Sequence, residues 1–478
     1  ERMTGVLFGS LVFFFLLNVP IAVAIGLASL SAILWSGAIP PVVLVQKMFT
    51  ATDSFPLMAV PFFILAGSLM EFGGISRRLV DFANSIVGRF SGGLAFVAII
   101  ASMFFGAISG AAVACVAAIG TILIPAMVRR GYDTPYATAV QATAGTLGVM
   151  IPPSIPMIIY GVLTGVSIGA LFMGGILPGI LVGGSLMLVA WMIARKRGYK
   201  GDEKASGAKI WATFKDAILA LLMPVIILGG IYGGVFTPTE AAVVAVAYGF
   251  IIGFFVYREL SLSKLKDILV NTSVGTATIM FIIATSSVFS WILTAQRVPQ
   301  AVAEAILSIS TNPIVILTLI NLLLLFIGTF METVASIIIL VPVLLPVVTQ
   351  IGVDPLHFGI IIVVNLAIGM VTPPLGVCLF VGIRPGHAPE GVGLGARIEA
   401  HSPDLLSVPS SRPQGDALME CQQGRQDEGP EPDEAPGRTR PPPPIGGLHH
   451  DGAGRQDPTN EQRESQKRFG HGHMPGGS

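Results

Sequence analysis

Charged side chains are scarce in this sequence. Only 12% of its 478 residues are Asp, Glu, Lys or Arg, whereas 53% are hydrophobic, and 28 basic residues balance 28 acidic ones. Such a composition excludes an ordinary soluble domain and indicates a chain that crosses a membrane several times. Because the charge is balanced and no basic stripe occurs, we expect no nucleic-acid partner.

Motifs for enzyme chemistry are also missing. The three cysteines, Cys115, Cys378 and Cys421, form no CxxC pair, which argues against a disulfide framework and a zinc site. His357 has no HExxH context, and no GxxxxGK[ST] phosphate loop occurs. Without a Ser/Lys or His/Asp/Glu constellation, we expect no enzyme activity, no organic cofactor and no metal beyond a coupling ion.

Two double prolines interrupt apolar segments that otherwise read as membrane helices. They lie in 148–154 (GVMIPPS) and 369–375 (GMVTPPL), and the offset is 373 − 152 = 221 residues. Consecutive prolines remove backbone donors and break a helix. Unpaired backbone groups at membrane depth are tolerated only where protein covers them or where they line a site. Paired broken helices therefore point to the central site of a transporter.

Each broken helix follows a segment that predicts a helical hairpin. Residues 93–127 are interrupted at 106–110, and Arg89, Arg129 and Arg130 flank both ends, so both ends should face the cytoplasm. Residues 314–348 repeat the pattern with a tip at 328–333 and no flanking Lys or Arg. The two halves thus have opposite orientation, which is typical of secondary transporters.

The remaining apolar segments complete an inverted repeat. We expect two helices in 4–35, an amphipathic interfacial helix in 74–88, and spans at 55–70, 168–194, 218–235, 240–257 and 272–292. Thr237 and Glu240 predict a capping box rather than a catalytic acid. The predicted fold is an all-α polytopic membrane protein with two hairpins and two broken helices. Its membrane domain covers 1–382, with repeats at about 4–194 and 215–382.

The sequence changes character after Gly382. Hydrophobic runs end, and 383–478 is rich in Arg, Pro, Gly and His. One interpretation is a disordered polar tail. The interpretation we favour is a shifted reading frame, because the first repeat continues into a full span at 168–194 and the second does not. A hydrophobic helix of about 20 residues in another frame would support it, and its absence would exclude it.

Hydroxyl groups and backbone carbonyls at the interruptions predict cation sites, because both are hard oxygen ligands. Ser109 and Ser154 contribute in the first half, and Thr329, Thr333 and Thr372 in the second. Glu332 is equally well explained by a functional role, as a cation ligand or a proton acceptor, or by a structural role as a partner of backbone donors. The Asn365 amide is more readily explained by a hydrogen bond between two helices than by substrate binding. For Gln141 and Thr143, the same two roles stay open.

Several motifs, taken together and in order, resemble the large membrane subunit of tripartite ATP-independent periplasmic (TRAP) transporters. The resemblance covers roughly residues 1–380 and is carried by 105–110 (FGAISG), 148–154 (GVMIPPS), 234–242 (GVFTPTEAA), 328–332 (GTFME) and 371–374 (VTPP).

The resemblance implies a fold of the elevator-type ion transporters and Na⁺-driven uptake of organic acids across a bacterial inner membrane. It also implies two partners, a periplasmic substrate-binding protein and a small four-helix membrane subunit. We expect the small subunit to be a separate chain, since no such sequence precedes Thr4. In an elevator mechanism, the hairpins and broken helices would move against a scaffold.

The resemblance also assigns site residues. The positions expected to bind Na⁺ are Ser109, Gly110, Pro152, Pro153, Ser154, Glu332, Thr333, Thr372 and Pro373. The positions expected to bind substrate are Gly106, Thr143, Gly148, Gly328, Thr329 and Asn365. The main alternative is a stand-alone Na⁺/dicarboxylate symporter of similar architecture, which would need no binding protein. An ion channel or an intramembrane enzyme is disfavoured by the midplane broken helices and the missing catalytic groups.

Overall fold

The computed structural model describes residues 2–201, 205–309, 312–374 and 376–383. All of them belong to one compact unit, Glu1–Leu406. They contain helices and no strand, which confirms the all-α prediction. The predicted tail lies outside the described residues from 384 onward, as do Leu375 of the second proline motif and Cys421.

The described residues form nineteen α-helices, together with a 3-10 helix at Phe55–Met58 before α4 and a π-helix at Ile252–Val256 after α13. Those of the first half are α1 (Arg2–Leu16), α2 (Ile21–Ser36), α3 (Val42–Thr52), α4 (Ala59–Phe72), α5 (Ile75–Val87), α6 (Gly93–Ser109), α7 (Ala112–Arg129), α8 (Thr134–Gly145), α9 (Leu147–Met150), α10 (Ile155–Thr164) and α11 (Ile168–Arg197). Those of the second half are α12 (Gly207–Tyr232), α13 (Pro238–Ile251), α14 (Leu262–Ala295), α15 (Val298–Ile309), α16 (Pro313–Gly328), α17 (Thr333–Gln350), α18 (Pro355–Gly369) and α19 (Val377–Gly382).

Short polar side chains start many of these helices. Thr237 and Glu240 form the predicted capping box at α13, which confirms the structural role of that carboxylate. Ser154, Ser167 and Ser206 each accept a backbone N–H at the start of α10, α11 and α12. These caps satisfy amide groups that would otherwise be unpaired at a helix start.

Both hairpins and both broken helices are present. α6 and α7 form hairpin 1, and α16 and α17 form hairpin 2. The interruption was predicted at 106–110, but α6 stays helical through Ser109, so the break covers only Gly110 and Ala111. The turn needs a backbone conformation that favours glycine, and Gly110 provides it with a φ of 64°.

Eight helical segments among the described residues are long and apolar enough to cross a membrane. α12 and α14 extend beyond the predicted spans, because polar and charged residues continue their first turns. α3 and α15 were not predicted, since each has only 11 or 12 residues and lies between stronger signals. α5 is the expected amphipathic helix, with Arg78 paired to Glu259 and stacked on Tyr257.

The two halves interlock through their broken helices. α10 of the first half packs against α17 and α18 of the second, and α19 packs against α7 and α8. The Tyr160 side chain of α10 is fully buried, and its hydroxyl donates to the carbonyl of Pro355 over 2.5 Å. A separate apolar cluster joins α1 and α2 to α14. The hairpins and broken helices therefore pack in the main core, which also includes α4, α5, α12 and α13, whereas α1 and α2 pack around α14 in the second cluster.

Candidate functional site

The tip of hairpin 1 touches the first broken helix through backbone atoms. A Cβ added at Gly106 would lie 2.7 Å from the Cα of Gly148, closer than real Cβ contacts allow. A Cβ at Gly110 would lie 2.8 Å from the carbonyl oxygen of Pro153, and the N–H of Ile155 donates to the Gly110 carbonyl over 3.2 Å. Glycine thus permits an approach that would be blocked by any side chain.

Ser109 lies at this junction with an unsatisfied hydroxyl. Its side chain is 3% exposed, and its Oγ is buried without a hydrogen-bond partner. A Cβ at Gly67 of α4 would lie 3.1 Å from the Ser109 Cα, so α4 closes one side of the tip. A buried hydroxyl without a partner is costly unless something else satisfies it, so this atom is the clearest ligand position at the tip.

Most other polar side-chain atoms of the first junction bond within the protein, although the Gln141 Oε1 is also buried without a partner. The Ser154 hydroxyl donates to the Val149 carbonyl over 2.6 Å and accepts from the Met157 N–H. Gln141 donates from Nε2 to the Ser102 hydroxyl and so ties α8 to α6. Pro152 and Pro153 are buried beside them, and the peptide bond between these prolines is cis.

Hairpin 2 makes the equivalent contact with the second broken helix. A Cβ at Gly369 would lie 2.6 Å from the Cα of Gly328, the counterpart of the Gly106–Gly148 approach. The N–H of Gly376 donates to the Thr329 carbonyl over 3.5 Å. The peptide bond between Pro373 and Pro374 is also cis. Each half therefore places a hairpin tip against a helix break by backbone contact.

Glu332 caps α17. One carboxylate oxygen accepts the N–H groups of Val334 and Ala335 over 2.8 and 3.3 Å, and the Glu332 carbonyl accepts the Ser336 hydroxyl. The sequence left two kinds of role open for Glu332, and in the structure its carboxylate accepts backbone N–H groups, which is the structural role. The other oxygen leaves room for an additional contact, because a carboxylate offers about four lone-pair sites.

The threonine hydroxyls named by the sequence donate mainly within their own helices. Thr329 donates to Phe326, Thr372 to Ile368 and Thr143 to Ala139, in each case to a carbonyl 2.7 to 2.9 Å away. Thr333 instead donates across to the sulfur of Met370 over 3.0 Å.

Each of these hydroxyls keeps an accepting lone pair, so donation to a carbonyl does not prevent cation binding. The Thr143 hydroxyl bonds to the carbonyls of Ala139 and Val140, both within α8, rather than to the hairpin tip.

Asn365 links two helices of the second half. Its Nδ2 donates to the carbonyl and to the Oδ1 of Asn321, over 3.0 and 2.8 Å, so it ties α18 to α16. This is the structural role that the sequence favoured. Gln141 and Ser102 make the corresponding bridge in the first half.

Three partners at the site were missed from the sequence. Gly67, Asn321 and Met370 gain their roles only from contacts between distant segments. The one available signal was Gly67 within an apolar span, since small residues mark close helix contacts. Oxygen atoms dominate both junctions, and we find no group of His, Cys, Asp and Glu for a transition metal in the described ranges. Oxygen donors of this kind suit hard cations.

Comparison with known proteins identifies relatives over most of the chain. A family model described as tripartite ATP-independent periplasmic transporter, DctM component, matches residues 8–389. The isethionate TRAP transporter permease protein DctMQ of Oleidesulfovibrio alaskensis is 51% identical over 80% of this chain. The match covers 60% of that relative, which is less than two thirds of its length.

Two further relatives are named as large permeases. The C4-dicarboxylate protein DctM of Pseudomonas aeruginosa is 44% identical, with 75% of this chain and 83% of the relative covered. The sialic acid protein SiaM of Vibrio cholerae is also 44% identical, with 72% and 81% covered. The crystal structure of the Alcanivorax borkumensis YdaH transporter matches with a TM-score of 0.51 and 16% identity, over 74% of this chain and 82% of that one. That last similarity concerns the fold alone.

Proposed function

Because the chain belongs to the DctM component family of TRAP transporters, a family of inner-membrane permease subunits and not of enzymes, we propose that it carries organic acids across the membrane by Na⁺ coupling. The single observation that carries the Na⁺ proposal is the buried Ser109 hydroxyl without a partner at a hairpin tip. The substrate class follows from the relatives, whose names specify isethionate, C4-dicarboxylates and sialic acid.

The proposed first Na⁺ site lies at the tip of hairpin 1. Ser109 would supply a hydroxyl oxygen, and Gly110, Pro152 and Pro153 would supply carbonyl oxygens. Support comes from the closeness of the Pro153 carbonyl to Gly110 and from the burial of the site. Ser154 would act mainly by holding the start of α10, because its hydroxyl already bonds to backbone.

The proposed second Na⁺ site lies at the tip of hairpin 2. Thr333, Thr372 and the carbonyl of Pro373 would supply oxygens, and Glu332 would hold α17 while its second carboxylate oxygen faces the cation. The substrate would bind between the tips, near the close glycine pairs Gly106–Gly148 and Gly328–Gly369. α7 begins directly after the tip of hairpin 1 without a side-chain cap, and the N–H groups of its first turn would serve as donors for a carboxylate or a sulfonate.

The transport step would be an elevator movement. The hairpins and broken helices share the main apolar core with α4, α5, α12 and α13, whereas α1 and α2 pack with the end of α14 in a separate apolar cluster. We propose that α1, α2 and α14 belong to the scaffold against which the hairpins and broken helices slide. We further propose that a small four-helix membrane subunit completes the scaffold and that a periplasmic binding protein delivers the substrate.

Reconstitution tests this proposal. The full chain, the small subunit and the substrate-loaded binding protein would be placed in proteoliposomes, with labelled isethionate, succinate and sialic acid as probes. We expect uptake of at least one probe with an inward Na⁺ gradient, and loss of uptake when K⁺ replaces Na⁺. Uptake driven equally by K⁺ would overturn the Na⁺ coupling.

Omitting the binding protein separates the two architectures considered from the sequence. We expect uptake to fall to background without it. Uptake of the free acid by the membrane proteins alone would identify a stand-alone symporter instead.

A further inference from the structure

A cavity of about 380 Å³ lies beside α10 and α17, which follow the first helix break and the tip of hairpin 2. We call it the outer cavity. It is lined by α3 and α14 on one side and by α10 and α17 on the other; the lining residues used below are Lys47, Ile159, Ser286, Ser290, Trp291 and Ile338. α14 begins beside the basic residues Lys264 and Lys266, so its last turns, which carry Ser286 and Trp291, face the periplasm in the predicted orientation.

The charge of the outer cavity is positive. Lys47 is the one charged side chain among its described lining residues, and its Nζ lies 5.6 Å from the centre of the Trp291 ring. No carboxylate lies within ion-pair distance of Lys47 in the described ranges. The Ser287 hydroxyl donates to the Lys47 carbonyl, so the α3 backbone is fixed against α14.

Ser286 adds an unsatisfied donor to the same wall. Its side chain is fully buried, and its Oγ has no hydrogen-bond partner. The neighbouring hydroxyls of Thr285 and Ser287 donate to carbonyls of the preceding turn, as helical hydroxyls commonly do. Ser290 follows one turn later on the same face of α14 and also lines the cavity.

The other half of the molecule shows that the fold does not require this polarity. In the inverted repeat, α3 corresponds to the start of α14, and the end of α14 corresponds to α4. There, Leu69, Leu260 and Ile268 form a buried apolar cluster, with Leu65 and Leu265 packed against it. The inverted repeat therefore fills one position with aliphatic side chains, while the other keeps a lysine, serines and open volume.

We propose that the outer cavity binds the anionic group of the organic acid before the acid reaches the hairpin tips. The Lys47 ammonium and the Ser286 and Ser290 hydroxyls bind the carboxylate or sulfonate, while Ile159 and Ile338 contact the carbon chain. A volume of 380 Å³ suits a small acid. This proposal rests on the proposed function, because it assumes that the transported molecule is an organic anion.

The first test measures binding without transport. Thr50 lines the cavity and would be changed to cysteine in a Cys421→Ser background, where the other two cysteines are buried. Isethionate and succinate should slow the labelling of this cysteine by a membrane-impermeant thiol reagent. In a Lys47→Gln variant, we expect the concentration for half-protection to rise about tenfold, and Lys47→Arg should restore it.

A matched variant shows whether loss of any lysine that lies beside a tryptophan changes the labelling. Lys215 lies 5.4 Å from the ring of Trp211 on α12, outside the cavity, so Lys215→Gln should leave the protection unchanged. Ser286→Ala should weaken protection about threefold. Equal protection in Lys47→Gln and in the parent would overturn the proposal. Protection that follows the phosphatidylglycerol content of the vesicles, rather than the added acid, would also overturn it.

The second test measures uptake by the complete complex. At limiting loaded binding protein, the initial rate should fall about fivefold in Lys47→Gln and stay unchanged in Lys215→Gln. Unchanged uptake in Lys47→Gln would contradict the outer cavity proposal alone. Absence of Na⁺-driven uptake in the parent would contradict the proposed function, while the labelling test would still report on the cavity.

Discussion

The first helices of the two hairpins occupy equivalent places in the repeat, yet their surroundings differ. In α6, twelve of 17 residues are buried, and many are Gly or Ala. In α16, only four of 16 are buried, and most residues are Leu or Ile. α6 is enclosed by α5, α7, α8 and α11, whereas α16 packs mainly against α18.

This difference indicates that the two halves share the same backbone contacts although the side chains around those contacts differ. The glycine approach between tip and broken helix occurs in both halves. Around it, small residues accompany an enclosed helix, and large aliphatic residues accompany a helix that faces outward. The Phe326 side chain of α16, for example, is 62% exposed in the described part of the chain. Lipid or another apolar helix suits such a surface.

The largest expected effect tests the shared backbone contact. Gly148→Ala and Gly369→Ala each place a Cβ within 3 Å of backbone atoms of the facing tip. We expect a destabilisation of roughly 1–3 kcal/mol and near-complete loss of uptake in both variants, measured by thermal unfolding and proteoliposome transport. Gly184→Ala, where a Cβ meets nothing within 4 Å, is the control and should transport normally. Normal transport by one of these two broken-helix variants would show that only the other half needs the close approach.

The next prediction separates the hydroxyl groups of the two tips. Ser109→Ala removes an oxygen that has no protein partner, so the Na⁺ concentration for half-maximal uptake should rise about tenfold while thermal stability stays unchanged. Thr372→Val removes a hydroxyl that also bonds to its own helix, and we expect a smaller shift of about threefold. Unchanged Na⁺ dependence in Ser109→Ala would remove the first proposed site.

Substitutions of Glu332 test whether its carboxylate stabilises the start of α17 or binds the cation. Because the side chain caps α17, Glu332→Ala should lower the free energy of unfolding by about 1 kcal/mol. Glu332→Asn keeps a capping oxygen and should recover most of that loss. If Glu332→Asn is stable but has lost Na⁺ dependence, the charge itself binds the cation.

The smallest expected effect concerns a carboxylate of the amphipathic helix α5. Burial raises the pKa of Asp81 above its ordinary value of 3.8, although Arg77 and Arg78 oppose the shift. The folded state therefore holds the proton more tightly, so ionisation of Asp81 costs stability at neutral pH.

Asp81→Asn should raise the unfolding midpoint slightly at pH 7, and the gain should vanish as the pH falls toward 3.8. Glu304→Gln, at an exposed carboxylate of α15, is the control and should have little effect. A gain that persists at pH 4 would contradict the role of ionisation.

Much of the fold was predictable because the signals are local. Hydropathy indicated the long spans and the double prolines indicated the breaks, whereas the orientation of hairpin 1 that Arg89 and Arg130 predict stays a prediction. The ends of α12 and α14 were less predictable, because polar residues continue a helix where it leaves the apolar layer. α3 and α15 were missed for a related reason, since short amphipathic segments give weak signals. The shifted-frame hypothesis stays a prediction, as residues 384–478 lie outside those described.

The sequence by itself determined where the chain crosses the membrane, where it breaks and how the two halves are related. These properties follow from apolar length, proline chemistry and charge distribution, which act over one helix at a time. Only the tertiary structure decided which oxygen atoms are already used. Ser109 and Ser154 look alike in the sequence, yet one hydroxyl is unpaired and the other caps a helix. Hydrogen bonding depends on neighbours that distant segments supply, so no local pattern can distinguish them.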